Sequence, residues 1–225
     1  MRTIMEPVFE IAYLICVITL GALILRMAKG RKQYTLFGVM AIALGCGDAF
    51  HLAPRVYALL TDGLEAHVAA LGFGTLVTSI TMTVFYVILY HVWQIRYDKG
   101  KLSALTAIVY TLAAARIALC LFPQNRWLSA DAPLSWGIYR NIPFALLGVL
   151  VIVLYFQEAR KNNDKVFRFM WMAIALSFAF YIPVVLFADI IPALGMLMIP
   201  KTCAYVWIVW MGYAGARGNA SPKRE

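Results

Sequence analysis

The chain has 225 residues, of which 63% are hydrophobic and 14% are charged. A soluble domain has roughly 45–50% apolar and about 25% charged residues, so this composition excludes an ordinary water-soluble globule. The formal net charge of +9 would suit nucleic-acid binding in a soluble protein, but the basic residues here follow apolar segments. We therefore expect no nucleic-acid partner.

Seven apolar stretches fill almost the whole chain. They cover about residues 8–28, 34–60, 67–93, 102–122, 141–157, 166–187 and 190–214. Most of them reach the ~20 residues that a helix needs to cross the hydrocarbon core of a bilayer, and the fifth is the shortest. The sequence predicts an all-α polytopic membrane protein, a single seven-transmembrane-helix bundle over residues 1–225. We expect it to be a multi-pass protein of the cell membrane.

The basic residues predict how the helices are oriented. Most of the 20 Lys and Arg residues follow the first, third, fifth and seventh stretches. Connections rich in Lys and Arg stay in the cytoplasm, so we expect the amino terminus outside and the carboxyl terminus inside. The positive charge of the inner connections would also attract anionic headgroups, which makes membrane lipids expected partners.

The second stretch carries the densest polar chemistry of the chain. It reads Gly-Cys-Gly-Asp-Ala-Phe-His-Leu-Ala-Pro-Arg over residues 45–55. Asp48, His51 and Arg55 are spaced i, i+3 and i+7, which places them along one face of a helix. An ionised side chain costs at least ~2.5–3.5 kcal/mol near the centre of a bilayer. This face is therefore predicted to line a polar pocket that opens outwards.

Further polar residues are predicted at the depth of this pocket. They are Glu10, His67, Arg116, Arg140, Tyr181, Asp189 and Lys201. Asp48 is the predicted acid–base group, with His51 as its proton or orientation partner. Arg116 or Lys201 would stabilise developing charge. Arg55 and the other members of the set are predicted to bind ligand.

A purely structural role is the alternative for these charges. Asp48 and Lys201, if buried, would form an ion pair or share a proton. A salt bridge from Asp48 to Arg116 or Lys201 could simply pin helices together. Five or more ionisable groups at one depth favour a functional cavity, because buried ion pairs rarely stabilise a fold more than apolar packing does.

The segment Gly47-Asp48-Ala49, followed by Leu52-Ala53-Pro54-Arg55, resembles the second helix of the lysoplasmalogenase-type membrane hydrolases. The resemblance covers about a dozen residues. It implies an intramembrane Asp that belongs to a catalytic acid pair and acts on the ether bonds of lysolipids. The second acid of that family has no counterpart in residues 176–181, and Asp189 is the nearest acid.

A metal site is not predicted. His51 is similar to the first histidine ligand of the adiponectin-receptor and alkaline-ceramidase group, but the seventh stretch contains no histidine. The four cysteines have no CxxC spacing and are expected to be single buried thiols. The sequence leaves the cofactor unknown.

Two further functions stay open at this stage. Lys201 in the seventh stretch resembles the Schiff-base lysine of the rhodopsins, with Tyr181-Ile182-Pro183 similar to their aromatic wall. That resemblance implies a retinal pigment in which Asp48 serves as counterion. A non-catalytic receptor or carrier for a small anionic or amphiphilic ligand would instead use Arg55, Arg116, Arg140 and Lys201 only for binding.

Overall fold

The computed structural model describes residues 2–100, 103–188 and 190–218, with residues 2–4 and Pro192 described by their backbone alone. Every regular element in these ranges is helical. The helices are α1 (Arg2–Ala28), α2 (Lys32–Leu60), α3 (Val68–Arg96), α4 (Ser103–Leu121), α5 (Leu134–Lys161), α6 (Met170–Phe187) and α7 (Met198–Gly218). Short 3₁₀ helices at Leu64–His67, Pro123–Asn125 and Pro192–Leu197 precede α3, follow α4 and precede α7.

Seven helical stretches within the described ranges are long and apolar enough to cross a membrane. The shortest is Met170–Phe187 with 18 residues, which spans about 27 Å at the helical rise of ~1.5 Å per residue. The predicted all-helical, seven-helix architecture is therefore confirmed.

Some helix boundaries differ from the prediction. The fifth helix was expected over residues 141–157, but it covers Leu134–Lys161 and begins directly after Pro133. The charge of Arg140 suggested that the helix starts after this residue. Its side chain instead bonds to Asn125 in the preceding connection, and the helix continues through it. The sixth helix begins at Met170 rather than at residue 166, because the carboxylate of Asp164 caps a turn there.

The helices form a ring in which each packs against its chain neighbour and α7 closes against α1. α3 also contacts α5, and α2 also contacts α7, so these pairs pack across the ring. Buried aromatic side chains fill the centre of the bundle, among them Phe37, Phe85, Tyr86, Tyr90 and Tyr155. Many large apolar side chains are exposed on the outer surface of the bundle, as expected for helices that face lipid.

Two glycines allow α2 and α3 to pack closely. A Cβ at Gly47 would collide with Thr81, and one at Gly74 would collide with the backbone of Phe50 and His51. Thr78 Oγ1 also donates a hydrogen bond to the Gly47 carbonyl at 3.2 Å. Small residues are typical of membrane helices that approach closely. This contact holds the polar face of α2 against α3.

At the opposite end of the bundle, Asp164 joins α3 to the connection between α5 and α6. Arg96 Nε and Nη2 both donate to its carboxylate, the latter at 2.6 Å. Tyr97 Oη and the backbone N–H groups of Val166 and Phe167 donate as well, at 2.9, 3.0 and 3.0 Å. Burial alone would raise the pKa of Asp164, but these donors lower it to about 2.

The Asp164 contact predicts a loss of stability at acidic pH. A carboxyl group whose pKa is lowered by folding stabilises the fold above its unfolded pKa of 3.8, and this contribution disappears as pH falls through about 2. Asp164→Asn should therefore reduce the free energy of unfolding by about 2 kcal/mol at pH 6. Thermal unfolding in detergent measures this change. The difference in stability between the wild type and Asp164→Asn should disappear between roughly pH 4 and pH 2.

Asp98→Asn is the matched control, since Asp98 is exposed on the connection that follows α3. Its melting temperature should follow that of the wild type throughout. A gap between wild type and Asp164→Asn that persists unchanged at low pH would show that the carboxylate is not what stabilises this connection.

Candidate functional site

A cavity of about 330 Å³ lies within the half of the bundle that contains the amino-terminal part of α1. Side chains from all seven helices line it. The predicted site residues that line it are Glu10, Asp48, His51, Arg55, Arg116, Tyr181 and Lys201. The structure therefore places ionic residues of α2, α4 and α7 around one chamber.

Asp48 is held by a tyrosine of α1. Tyr13 Oη donates a hydrogen bond to Asp48 Oδ2 at 2.5 Å, and Tyr13 is only 4% exposed. Asp48 Oδ1 accepts no hydrogen bond from the residues that the structure describes. One oxygen of this carboxyl group is thus fixed, while the other is available to a molecule in the cavity.

Lys201 lies between two aromatic rings. Its Nζ is 4.9 Å from the centre of the Tyr181 ring and 5.5 Å from that of Tyr205. No carboxylate of the described ranges comes within the 4.0 Å of an ion pair with Lys201, so the salt bridge of the purely structural alternative is not formed between Asp48 and Lys201. Its ammonium group shares the cavity with Asp48 and keeps its hydrogen-bond donors free for a ligand.

Arg55 forms an ionic cluster with α1. It donates to Glu6 Oε1 through Nε at 3.0 Å and through Nη2, and to Glu10 Oε1 through Nε at 3.1 Å. Glu10 Oε2 is buried without a hydrogen-bond partner. Glu6 and Tyr13 are not among the site residues predicted from the sequence. Their spacing with Glu10, i, i+4 and i+7, was the signal that all three share one face of α1.

His51 contacts α3 rather than Asp48. Its Nδ1 lies 3.2 Å from the Leu71 carbonyl oxygen and 3.1 Å from Thr75 Oγ1. His51 was predicted to be the partner of Asp48, but the side chain that bonds to Asp48 is Tyr13. His51 lines the cavity from the wall that α2 and α3 build together.

Arg116 is the most buried cation of the site, with 2% of its surface exposed. Its Nη1 donates to the Arg140 carbonyl at 2.6 Å and to Asn141 Oδ1 at 2.7 Å. The guanidinium also lies over the Phe144 ring at 4.1 Å. Arg116 Nε has no partner.

Two of the predicted ligand-binding residues that the structure describes, Arg140 and His67, do not line this cavity. Arg140 bonds to Asn125 Oδ1 at 2.8 Å and stacks on Trp127. His67 lies 3.8 Å from Asp62 and packs edge-on against Tyr57. Asp189 falls outside the described residues.

Metal-binding side chains do not cluster in this site. Across residues 2–100, 103–188 and 190–218, no group of three or more His, Cys, Asp and Glu side chains could hold a metal ion. The chemistry that the described residues offer is proton transfer and charge stabilisation.

The chain was compared with protein-family models, curated proteins and solved structures, and none of them matches it. Fold and site together define an all-helical integral membrane protein of seven helices that encloses a polar chamber.

Arg116 provides a test of the site geometry. Arg116→Met removes two charge-assisted hydrogen bonds and leaves the Arg140 carbonyl without this donor, so it should reduce the free energy of unfolding by about 2–4 kcal/mol. Thermal unfolding in detergent measures this change. Arg26→Met, at an exposed arginine of α1, should change it little. Equal stability of the two variants would refute the inward position of Arg116.

Proposed function

We propose that this protein is a hydrolase of the cell membrane that acts on an amphiphilic lipid whose polar end enters the chamber. The observation that carries the proposal is the carboxyl group of Asp48, fixed at one oxygen by Tyr13 and free at the other. It lines the same chamber as the unpaired ammonium of Lys201. A positioned acid–base group beside a cation is what hydrolysis of a lipid bond needs.

The proposed orientation supplies the direction of access. The connections rich in Lys and Arg follow α1, α3 and α5, and the chamber lies at the other end of the helices. By the positive-inside rule the amino terminus and the chamber then belong to the outer half of the membrane. An amphiphile of the outer leaflet would reach Asp48 without crossing the bilayer.

Asp48 is assigned the proton transfers. In its acid form it protonates the ether oxygen of a lysolipid, whose C–O bond breaks to release one fragment as an alcohol. Water adds its hydroxyl group to the carbon of the other fragment and gives its remaining proton to the carboxylate, so that Asp48 returns to its acid form. Lys201 and Arg116 balance the negative charge of the headgroup or of the reacting oxygen.

The second acid implied by the lysoplasmalogenase resemblance is assigned to Glu10. This residue lines the chamber and has a buried oxygen without a partner. It lies on the first helix, whereas the resemblance places the second acid late in the chain. The pair Asp48 and Glu10 therefore supports the same chemistry in a different arrangement.

Asp48→Asn should reduce turnover of a lysolipid by a hundredfold or more, since positioned acid–base groups contribute about 10²–10⁴ to rate. An asparagine still accepts the hydrogen bond of Tyr13, so the melting temperature should stay close to that of the wild type. Release of the cleaved aldehyde or alcohol from a lysolipid in detergent micelles measures turnover.

Asp131→Asn, at an exposed position of the α4–α5 connection, is the matched control and should retain full activity. Turnover that survives in Asp48→Asn would eliminate the assigned role. A rise in melting temperature with an anionic amphiphile, without turnover by the wild type, would identify a non-catalytic receptor or carrier.

Retinal binding is the second candidate. The observation that favours it is the position of Lys201 between the rings of Tyr181 and Tyr205, with Asp48 in the same chamber. The amine would condense with the aldehyde of retinal to an imine and release water, and Asp48 would be the counterion of the protonated imine.

This candidate predicts colour. Purified protein mixed with retinal should develop visible absorption that hydroxylamine removes, and Lys201→Gln should stay colourless under the same conditions. A wild-type protein that also stays colourless excludes the pigment and leaves the hydrolase proposal in place.

A further inference from the structure

A second cavity of about 160 Å³ lies between α5 and α6. Its walls are mostly apolar and include Ile142, Ala145, Phe178, Ile182, Val185 and Leu186. Ile142 and Ile182 are 52% and 44% exposed on the outer surface of the bundle. This second cavity, the α5–α6 crevice, therefore lies where the helices face hydrocarbon.

The crevice and the polar chamber share two wall residues. Phe144 and Tyr181 line both cavities, and their ring centres are 6.2 Å apart with the rings edge to face. Tyr181 Oη donates to Asn141 Oδ1 at 3.0 Å, which fixes the ring in this position. Lys201 Nζ lies 4.9 Å from the centre of the same ring. Two aromatic rings thus separate the apolar crevice from the chamber that contains Lys201 and Arg116.

The helices on both sides of this partition contain proline. Pro143 precedes Phe144 on α5, and Pro183 follows Tyr181 by two residues on α6. A proline removes one backbone hydrogen bond and permits a local bend in its helix. The pair of interruptions lies beside the partition, where a small separation of α5 from α6 would connect the two cavities.

We propose that the α5–α6 crevice holds the hydrocarbon chain of a single-chain amphiphile whose anionic end occupies the polar chamber, with Phe144 and Tyr181 as the partition between the two parts. The proposal rests on the proposed function and names its substrate class. A cavity of about 160 Å³ suits a segment of one hydrocarbon chain rather than two.

The test fills the crevice from α5 and compares two alkyl phosphates. Hexadecyl phosphate has a chain long enough to enter the crevice, whereas butyl phosphate fits within the chamber. Equilibrium binding of each probe to the detergent-purified full chain is measured for the wild type and for Ala145→Phe. The variant should bind hexadecyl phosphate at least tenfold more weakly, as expected when about two methylene groups lose their burial.

Binding of butyl phosphate by Ala145→Phe should stay within about twofold of the wild type. Each probe also partitions into detergent micelles, but this effect is the same for every protein. It therefore cancels when the binding of one probe is compared between the wild type and a variant. Val185→Phe fills the same crevice from α6 and should have the same selective effect. Val149→Phe is the control, because Val149 is 57% exposed on α5 and does not line the crevice.

The outcomes separate this inference from the proposed function. If the wild type binds neither probe, the chamber does not bind an anionic amphiphile. The proposed function and this inference are then both wrong. If the wild type binds both probes and neither filled variant weakens the long one selectively, the inference is overturned alone. Equal weakening of both probes would likewise overturn it.

Discussion

Hydrocarbon does not solvate an ionised side chain, and the arrangement of this bundle follows from that constraint. Charges on α1, α2, α4 and α7 turn inward, because only there can other side chains or backbone carbonyls meet them. Arg55 donates hydrogen bonds to Glu6 and Glu10, and Arg116 donates one to a backbone carbonyl of α5. The chamber is the space that these inward charges share.

The chamber differs from a set of structural ion pairs because some of its polar atoms have no hydrogen-bond partner. Glu10 Oε2 and Arg116 Nε are buried without partners, and no carboxylate of the described residues lies within 4.0 Å of Lys201 Nζ. Buried polar groups are nearly always hydrogen-bonded in folded proteins. Free atoms of both signs beside a tethered Asp48 are the physical basis for assigning the chamber to ligand binding and proton transfer.

The sequence predicted the seven apolar helices, because span length is read directly from composition. It did not predict which groups pair. Helical spacing shows which face Asp48 occupies, but not that Tyr13 lies opposite it. The predicted start of α5 was too late because the charge of Arg140 indicated the end of the membrane span. Its contacts with Asn125 and Trp127, which the sequence does not show, allow this charge to lie within the helix.

The most direct test of the inward chamber is cysteine labelling on α7 with a charged, membrane-impermeant thiol reagent. Thr202 lines the chamber, while its neighbour Cys203 is exposed on the outer surface, about 100° further around the helix. In proteins with a single cysteine, Thr202→Cys should react rapidly and Cys203 should resist, because the reagent enters water but not hydrocarbon. Rapid labelling of Cys203 with none at position 202 would contradict the chamber.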